Sequence, residues 1–240
     1  ELGAVDLDLL VPFGSGLFGQ AHGADLGLAF DGDADRCFVV DEFGAAVSPS
    51  AVAAIVSQRE ILRAKQLNEP GPIHVIHNLL TSRHVAELIE SLGAVPVKTR
   101  VGHSLIKDRM AETEAIFGGE HSAHYYFRDF WGADNGMLAA MHVLAEFGHQ
   151  PKSLSAFAAE FMPYASSGEI NSTVSDEKAA TQRVRDAFAS RGSEDALDGM
   201  TITGNTAEGE AFLPYAHTMI EAEESALAHL KPASSQVTGV

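Results

Sequence analysis

The segment IHVIHNLLTSRHVAELIESLGAVPVKT, residues 73–99, reads as strand, helix and strand in succession. IHVIH (73–77) is a short apolar strand. Val85, Leu88, Ile89 and Leu92 then recur at i, i+3, i+4 and i+7, which is one face of a helix that Thr81 or Ser82 would cap. GAVPVKT (93–99) returns to strand. The same alternation extends in both directions. A helix is expected from Ser50 to about residue 65 and another from His103 to Thr113, followed by a strand, turn and strand across AIFGGEHSAHYYF (115–127). A further helix capped by Asp134 would bury Met137, Leu138, Met141, Leu144 and Ala145. Strands alternating with amphipathic helices specify an α/β fold with mixed, mostly parallel sheets flanked by helices. Beyond residue 166 the pattern thins to a strand-like SGEINSTV and a charged helix over 176–190. After Gly192 the signal fades, and KPASSQVTGV reads as a disordered tail.

Composition narrows the function. Of 240 residues, 45% are apolar, enough for a buried core. Asp and Glu number 33 against 16 Lys and Arg, a net charge of -17, which argues against nucleic acid or an anionic membrane as the main partner. A single cysteine, Cys37, excludes an intrachain disulfide framework and fits a reducing, cytoplasmic setting. No apolar run approaches a bilayer span, and ELGAVDLDLL lacks the basic start of a signal peptide.

Two short strands, LGLAF (26–30) and RCFVVDEFG (36–44), flank FDGDADRC (30–37), which sets Asp31, Asp33 and Asp35 on a connection. Fully extended, these side chains would stand roughly 7 Å apart along one face. Magnesium holds its oxygens at about 2.1 Å, so one ion can engage all three only if the chain curls, which Gly32 and the small Ala34 permit. Other readings compete. Counting from Asp31 gives EF-hand spacing up to Glu42, but Arg36 stands where glycine belongs and the flanks are strands. An Asp-x-Asp at a strand end can act as an aspartyl phosphotransferase or phosphatase, and a charged turn in water needs no function at all.

A second cluster lies in GGEHSAHYYF (118–127). If residues 120–124 are extended, Glu120, Ser122 and His124 share one face and His121, Ala123 and Tyr125 the other. A carboxylate, a hydroxyl and an imidazole side by side suit sugar hydroxyls; the alternative is a polar strand face in solvent. Zinc held by His121 and His124 is disfavoured because alternation separates them. Lys107 and Arg109 read as a solvated helix face.

FDGDADRC, TRVGHSLIKDRM (99–110) and GGEHSAHYYF, in that order and spacing, resemble the α-D-phosphohexomutase superfamily on its bacterial phosphomannomutase/phosphoglucomutase branch, over roughly residues 21–175. The resemblance implies a magnesium site at Asp31, Asp33 and Asp35, with Arg36 steadying the transferring phosphate. It further implies that Glu120, Ser122 and His124 hold sugar hydroxyls and that His103, at a helix start, shuttles a proton. The reaction it implies interconverts hexose 6-phosphate and hexose 1-phosphate, of mannose or glucose, through a phosphoserine and a bisphosphate intermediate. Residues 1–49 would end the second domain, 50–165 form the third, and 166–240 represent a divergent or truncated last domain.

The sequence also departs from the family. No Thr-x-Ser-His-x-Pro-like phosphoserine stretch occurs, and GNTAEGE (204–210) lacks the arginine and proline of the family's distal phosphate loop. Leu80 stands where relatives often place lysine, leaving Arg83 or Arg100 as substitutes, and nothing near Ser15 would activate it as a nucleophile. The chain opens on Glu1, and the resemblance implies an upstream piece. The expectation is therefore a protein nearly inactive alone, or a non-catalytic module that binds magnesium and sugar phosphate.

Overall fold

The computed structural model describes residues 23–164, 166, 173–190 and 192–204. The chain divides into two compact units, Glu1–Tyr164 and Ala165–Val240.

The first unit begins with an antiparallel meander of β1 (Gly27–Phe30), β2 (Cys37–Val40) and β3 (Ala46–Val47). Phe30 pairs with Cys37, so residues 31–36 close the β1–β2 hairpin as a six-residue loop. α1 (Pro49–Gln66) follows, with Pro49 in its first turn, where a missing amide costs no helix bond. Its N-terminal half is buried throughout because it is the central helix of the unit. Gly119 is what lets it approach the sheet, since a Cβ there would lie 2.7 Å from Ala53 Cβ.

β4 (His74–Asn78), α2 (Arg83–Ser91), β5 (Val95–Thr99), α3 (His103–Thr113) and β6 (Phe117–Gly119) supply the parallel part of a five-stranded sheet. β7 (Tyr125–Phe127) and β8 (Ala133–Asp134) add antiparallel strands, giving the order β5-β4-β6-β7-β8. The fold is thus α/β with a mixed sheet. Alternation along the strands sends Val75, Tyr125 and Phe127 into a core with α1, α2 and the later helices, and Ile76 and Tyr126 into a second core with Ile106 and Met110 of α3. From β4 the chain leaves toward β5, and from β6 toward β7. The carboxyl ends of β4 and β6 therefore bound a crevice of the kind in which open α/β sheets hold ligands.

The helix expected after Asp134 is α4 (Gly136–Phe147), but its cap is Asn135, whose side chain accepts from the Leu138 amide at 2.8 Å. Asp134 belongs to β8 instead. The buried stripe also differs from expectation. Gly136, Ala139, Ala140 and Val143 face inward, while Met137 and Met141 are more than 60% exposed and Leu144 and Ala145 are exposed as well. Both stripes have helical spacing, so periodicity could not choose between them; close approach to α1 and to the 31–36 loop selects the small residues. α5 (Leu154–Ala159) closes the unit, and Glu42 of the β2–β3 turn accepts from both the amide and the hydroxyl of Ser155.

In the second unit α6 (Glu177–Phe188) is capped by Asp176, close to expectation. An antiparallel hairpin, β9 (Gly192–Asp195) and β10 (Thr201–Gly204), occupies the region where the sequence signal faded. Its turn carries Asp198-Gly199, with Gly199 at φ +72°. SGEINSTV lies largely outside the described residues, and Ser15, most of GNTAEGE and the tail lie wholly outside them.

Candidate functional site

The 31–36 loop curls rather than extends. The Ala34 amide donates to Asp31 O at 3.2 Å, and Ala34 adopts φ +59°, a left-handed conformation that turns the chain back on itself. Carboxylate oxygens of Asp31, Asp33 and Asp35 consequently lie within 4.8 Å of one another. Arg36 closes the loop: its Nε donates to Asp31 Oδ2 at 2.6 Å and its backbone amide to Asp31 Oδ1 at 3.2 Å. Partial burial pushes the Asp31 carboxyl up, but the two Arg36 hydrogen bonds outweigh it and hold the group below the usual carboxylate range. Asp35 is shifted the other way, by burial first and then by its hydrogen bond with Asp31. Its Oδ1 is buried with no hydrogen-bond partner among the described residues, His124 Nε2 standing 3.6 Å away. Three clustered carboxylates with one orphaned oxygen form a donor set that fits a hard divalent cation.

The loop is joined to the β6–β7 hairpin. Arg36 and His124 form an isolated antiparallel bridge, and the Cys37 amide donates to Ala123 O at 3.3 Å. Residues 120–123 are not the extended segment expected from alternation. They make a tight turn in which the Ala123 amide donates to Glu120 O at 3.2 Å and Ala123 sits at φ +68°. Glu120, Ser122 and His124 nonetheless converge, with Ser122 Oγ 3.0 Å from His124 Nδ1 and that nitrogen 3.8 Å from Glu120 Oε2. His121 turns away to Ser50, whose Oγ lies 2.8 Å from its Nδ1.

Glu120 is only 2% exposed. Its Oε1 accepts from Asn78 Nδ2 at 3.1 Å and meets the Gly102 amide at 3.5 Å, while Oε2 accepts from the Tyr126 hydroxyl at 2.7 Å. Ser122 is exposed and His124 half-buried. His103 is exposed as the first residue of α3, and Gly102 before it, at φ +132°, ties that loop to Glu120. The first amides of α3 lack partners within the helix, an arrangement that favours an anion.

Four further residues belong to this assembly. Asn78 and Tyr126 hold Glu120. Asp134, opposite Tyr126 in the β7–β8 pairing, forms a second group of potential ligands with Asp35 and His124. Lys107 and Arg109 are both exposed, as expected of a solvated face, but Lys107 also reaches Asp134 Oδ1 at 2.8 Å, while Arg109 pairs with Glu112. Hairpin register would have found Asp134. The pairing of Lys107 with Asp134 depends on how α3 packs, which no local pattern records. Leu80 is 62% exposed, and Arg83 is engaged with Glu87 at 2.6 Å.

The family model for phosphoglucomutase/phosphomannomutase, alpha/beta/alpha domain III, matches residues 48–164. A protein named phosphomannomutase from Methanocaldococcus jannaschii is 37% identical over 183 residues, covering 76% of this chain and 39% of that protein. Another of that name from Escherichia coli K12 is 35% identical over 184 residues, with the same two shares. The chain thus spans about two fifths of the length of these relatives. A phosphoglucomutase/phosphomannomutase family protein of Burkholderia thailandensis has the same fold, with TM-score 0.63 and 23% identity over 79% of this chain and 40% of that one.

Proposed function

We propose that this chain, whose residues 48–164 match the family model for phosphoglucomutase/phosphomannomutase domain III, forms the metal-binding and sugar-binding part of a phosphohexomutase. The observation that carries this reading is the junction of the acidic loop to the β6–β7 turn through Arg36 and His124. It brings a cation-ready cluster and a set of hydroxyl-binding groups to one place. Residues 1–49 are then the end of a second domain, 50–165 a third, and 166–240 a divergent last domain.

In this proposal Asp31, Asp33 and Asp35 hold Mg2+, which when bound neutralises charge on a phosphoryl group. The chain's own residues do the rest. Arg36 steadies the phosphate with its guanidinium. Glu120 accepts a sugar hydroxyl, while Ser122 and His124 each donate to or accept from neighbouring hydroxyls. His103 exchanges a proton with the reacting sugar oxygen, at a helix start whose free amides favour the phosphate. Phosphoryl transfer depends mainly on positioning and charge stabilisation, which these groups supply. The whole reaction, between hexose 6-phosphate and 1-phosphate of mannose or glucose, requires a phosphoserine donor. These 240 residues contain no stretch resembling the family's serine loop.

The test is to assay the purified chain for both binding and turnover of mannose 1-phosphate and glucose 1-phosphate with Mg2+. Saturable binding with negligible turnover is expected. Turnover at rates ordinary for an enzyme overturns the proposed division of labour, and failure to bind either sugar phosphate overturns the site.

A further inference from the structure

Glu120 is a buried carboxylate oriented mainly by neutral donors. Tyr126, fully buried on the α3 side of the sheet, donates its hydroxyl to Oε2 at 2.7 Å. Burial, and then the charge of Glu120, push the Tyr126 hydroxyl well above its ordinary range, so it remains a neutral donor. Asn78 is 1% exposed, and its Oδ1 accepts the Leu80 and Thr81 amides, each at 3.1 Å. Those two bonds fix which end of the amide is oxygen and direct Nδ2 at Glu120 Oε1. Each carboxylate oxygen can accept along two directions, so capacity remains for a ligand once these donors are in place. Neutral donors also leave the negative charge in full, as a lysine or arginine partner would not.

We propose that Tyr126 and Asn78 are positioning residues for sugar recognition, which fix through Glu120 the direction from which one hexose hydroxyl is accepted. The Glu120–Gly102 contact extends the same constraint to the loop that carries His103. This role rests on the reading that Glu120 meets a sugar hydroxyl, and the experiment separates the two. Mannose 1-phosphate, glucose 1-phosphate and their monodeoxy analogues are titrated with Mg2+ into the 240-residue chain, Tyr126→Phe and Asn78→Asp. The phenylalanine keeps the ring volume. The aspartate keeps an oxygen for the Leu80 and Thr81 amides but turns a second oxygen toward Glu120, and it carries the test should Tyr126→Phe fail to fold.

The unsubstituted chain is expected to lose on the order of tenfold in affinity for the one analogue that lacks the accepted hydroxyl. In both variants the parent sugar phosphate should bind on the order of tenfold more weakly, while that analogue binds as it does to the unsubstituted chain. Discrimination then collapses toward one. A merely structural role would instead weaken parent and analogue equally, and that result overturns the proposal, as does discrimination that persists unchanged in the variants. An unsubstituted chain that binds no sugar phosphate overturns the functional reading and this role with it.

Discussion

The amide of Gly136 donates to the carbonyl of Ala34 at 3.1 Å, which seats the 31–36 loop directly on the first turn of α4. A Cβ at position 136 would lie 2.4 Å from Arg36 O and 3.0 Å from Ala34 O. Both obstacles are backbone, so they cannot rotate aside. Gly136→Ala is therefore expected to displace the acidic loop and to cost about 1–3 kcal/mol, the range for overpacking a tight site. Urea denaturation measures the cost, and a weakened response to Mg2+ in the same variant would report the displacement.

Ser50 is a buried tie between three segments. Its Oγ accepts from the Ser82 amide at the start of α2 at 3.0 Å and pairs with His121 of the β6–β7 turn at 2.8 Å. Ser50→Ala removes both of these bonds at a site that is only 3% exposed on the serine side. A loss of about 1–3 kcal/mol in unfolding free energy is expected, and a midpoint equal to that of the unsubstituted chain would contradict the tie.

Much of this architecture was legible in the sequence. The span of α3 was read at its observed bounds, and the β6–β7 hairpin and Ser82 as one of two caps for α2 follow from local patterns. The clustering of Asp31, Asp33 and Asp35 was legible because only a curled loop brings like charges together usefully. What was not legible depends on tertiary contact. Met137, Met141 and Leu144 have the spacing of a core stripe, yet a helix that must approach backbone at Gly136 turns its small residues inward. Glu120, Ser122 and His124 meet across a turn rather than along a strand, because Ala123 takes a left-handed conformation that favours glycine. Nothing local marks Tyr126 or Asn78; the β6–β7 hairpin brings Tyr126, and the parallel pairing of β4 with β6 brings Asn78, to the same carboxylate.

Glu42 supplies a pH dependence of stability. Burial raises its carboxyl, but hydrogen bonds from Ser155 and Ser153 outweigh it and bring the pKa down to about 2, against an ordinary 4.5. A depressed folded-state value means that the stabilisation is fully present above pH 4.5 and is lost as pH falls toward 2. Glu42→Gln should therefore be less stable than the unsubstituted chain at pH 7, with the gap narrowing on acidification through that window. Urea midpoints at pH 7 and pH 3 check the trend; a gap that widens in acid contradicts it.

Cys37 is a reporter for the same region. It is fully buried at the start of β2, and burial pushes its thiol up to about 12. A disulfide reagent at pH 8 is expected to modify it only as fast as the protein opens. Rapid modification under native conditions would show that the loop and β2 are less closed than described.

The most direct test of the account concerns Asp33, the exposed member of the acidic trio. Mannose 1-phosphate is titrated calorimetrically into the chain and into Asp33→Asn, each with and without Mg2+. Mg2+ is expected to strengthen sugar-phosphate binding to the unsubstituted chain, and Asp33→Asn to lose most of this enhancement while its urea midpoint stays the same. Binding that is indifferent to Mg2+, or an enhancement that survives in Asp33→Asn, would contradict it.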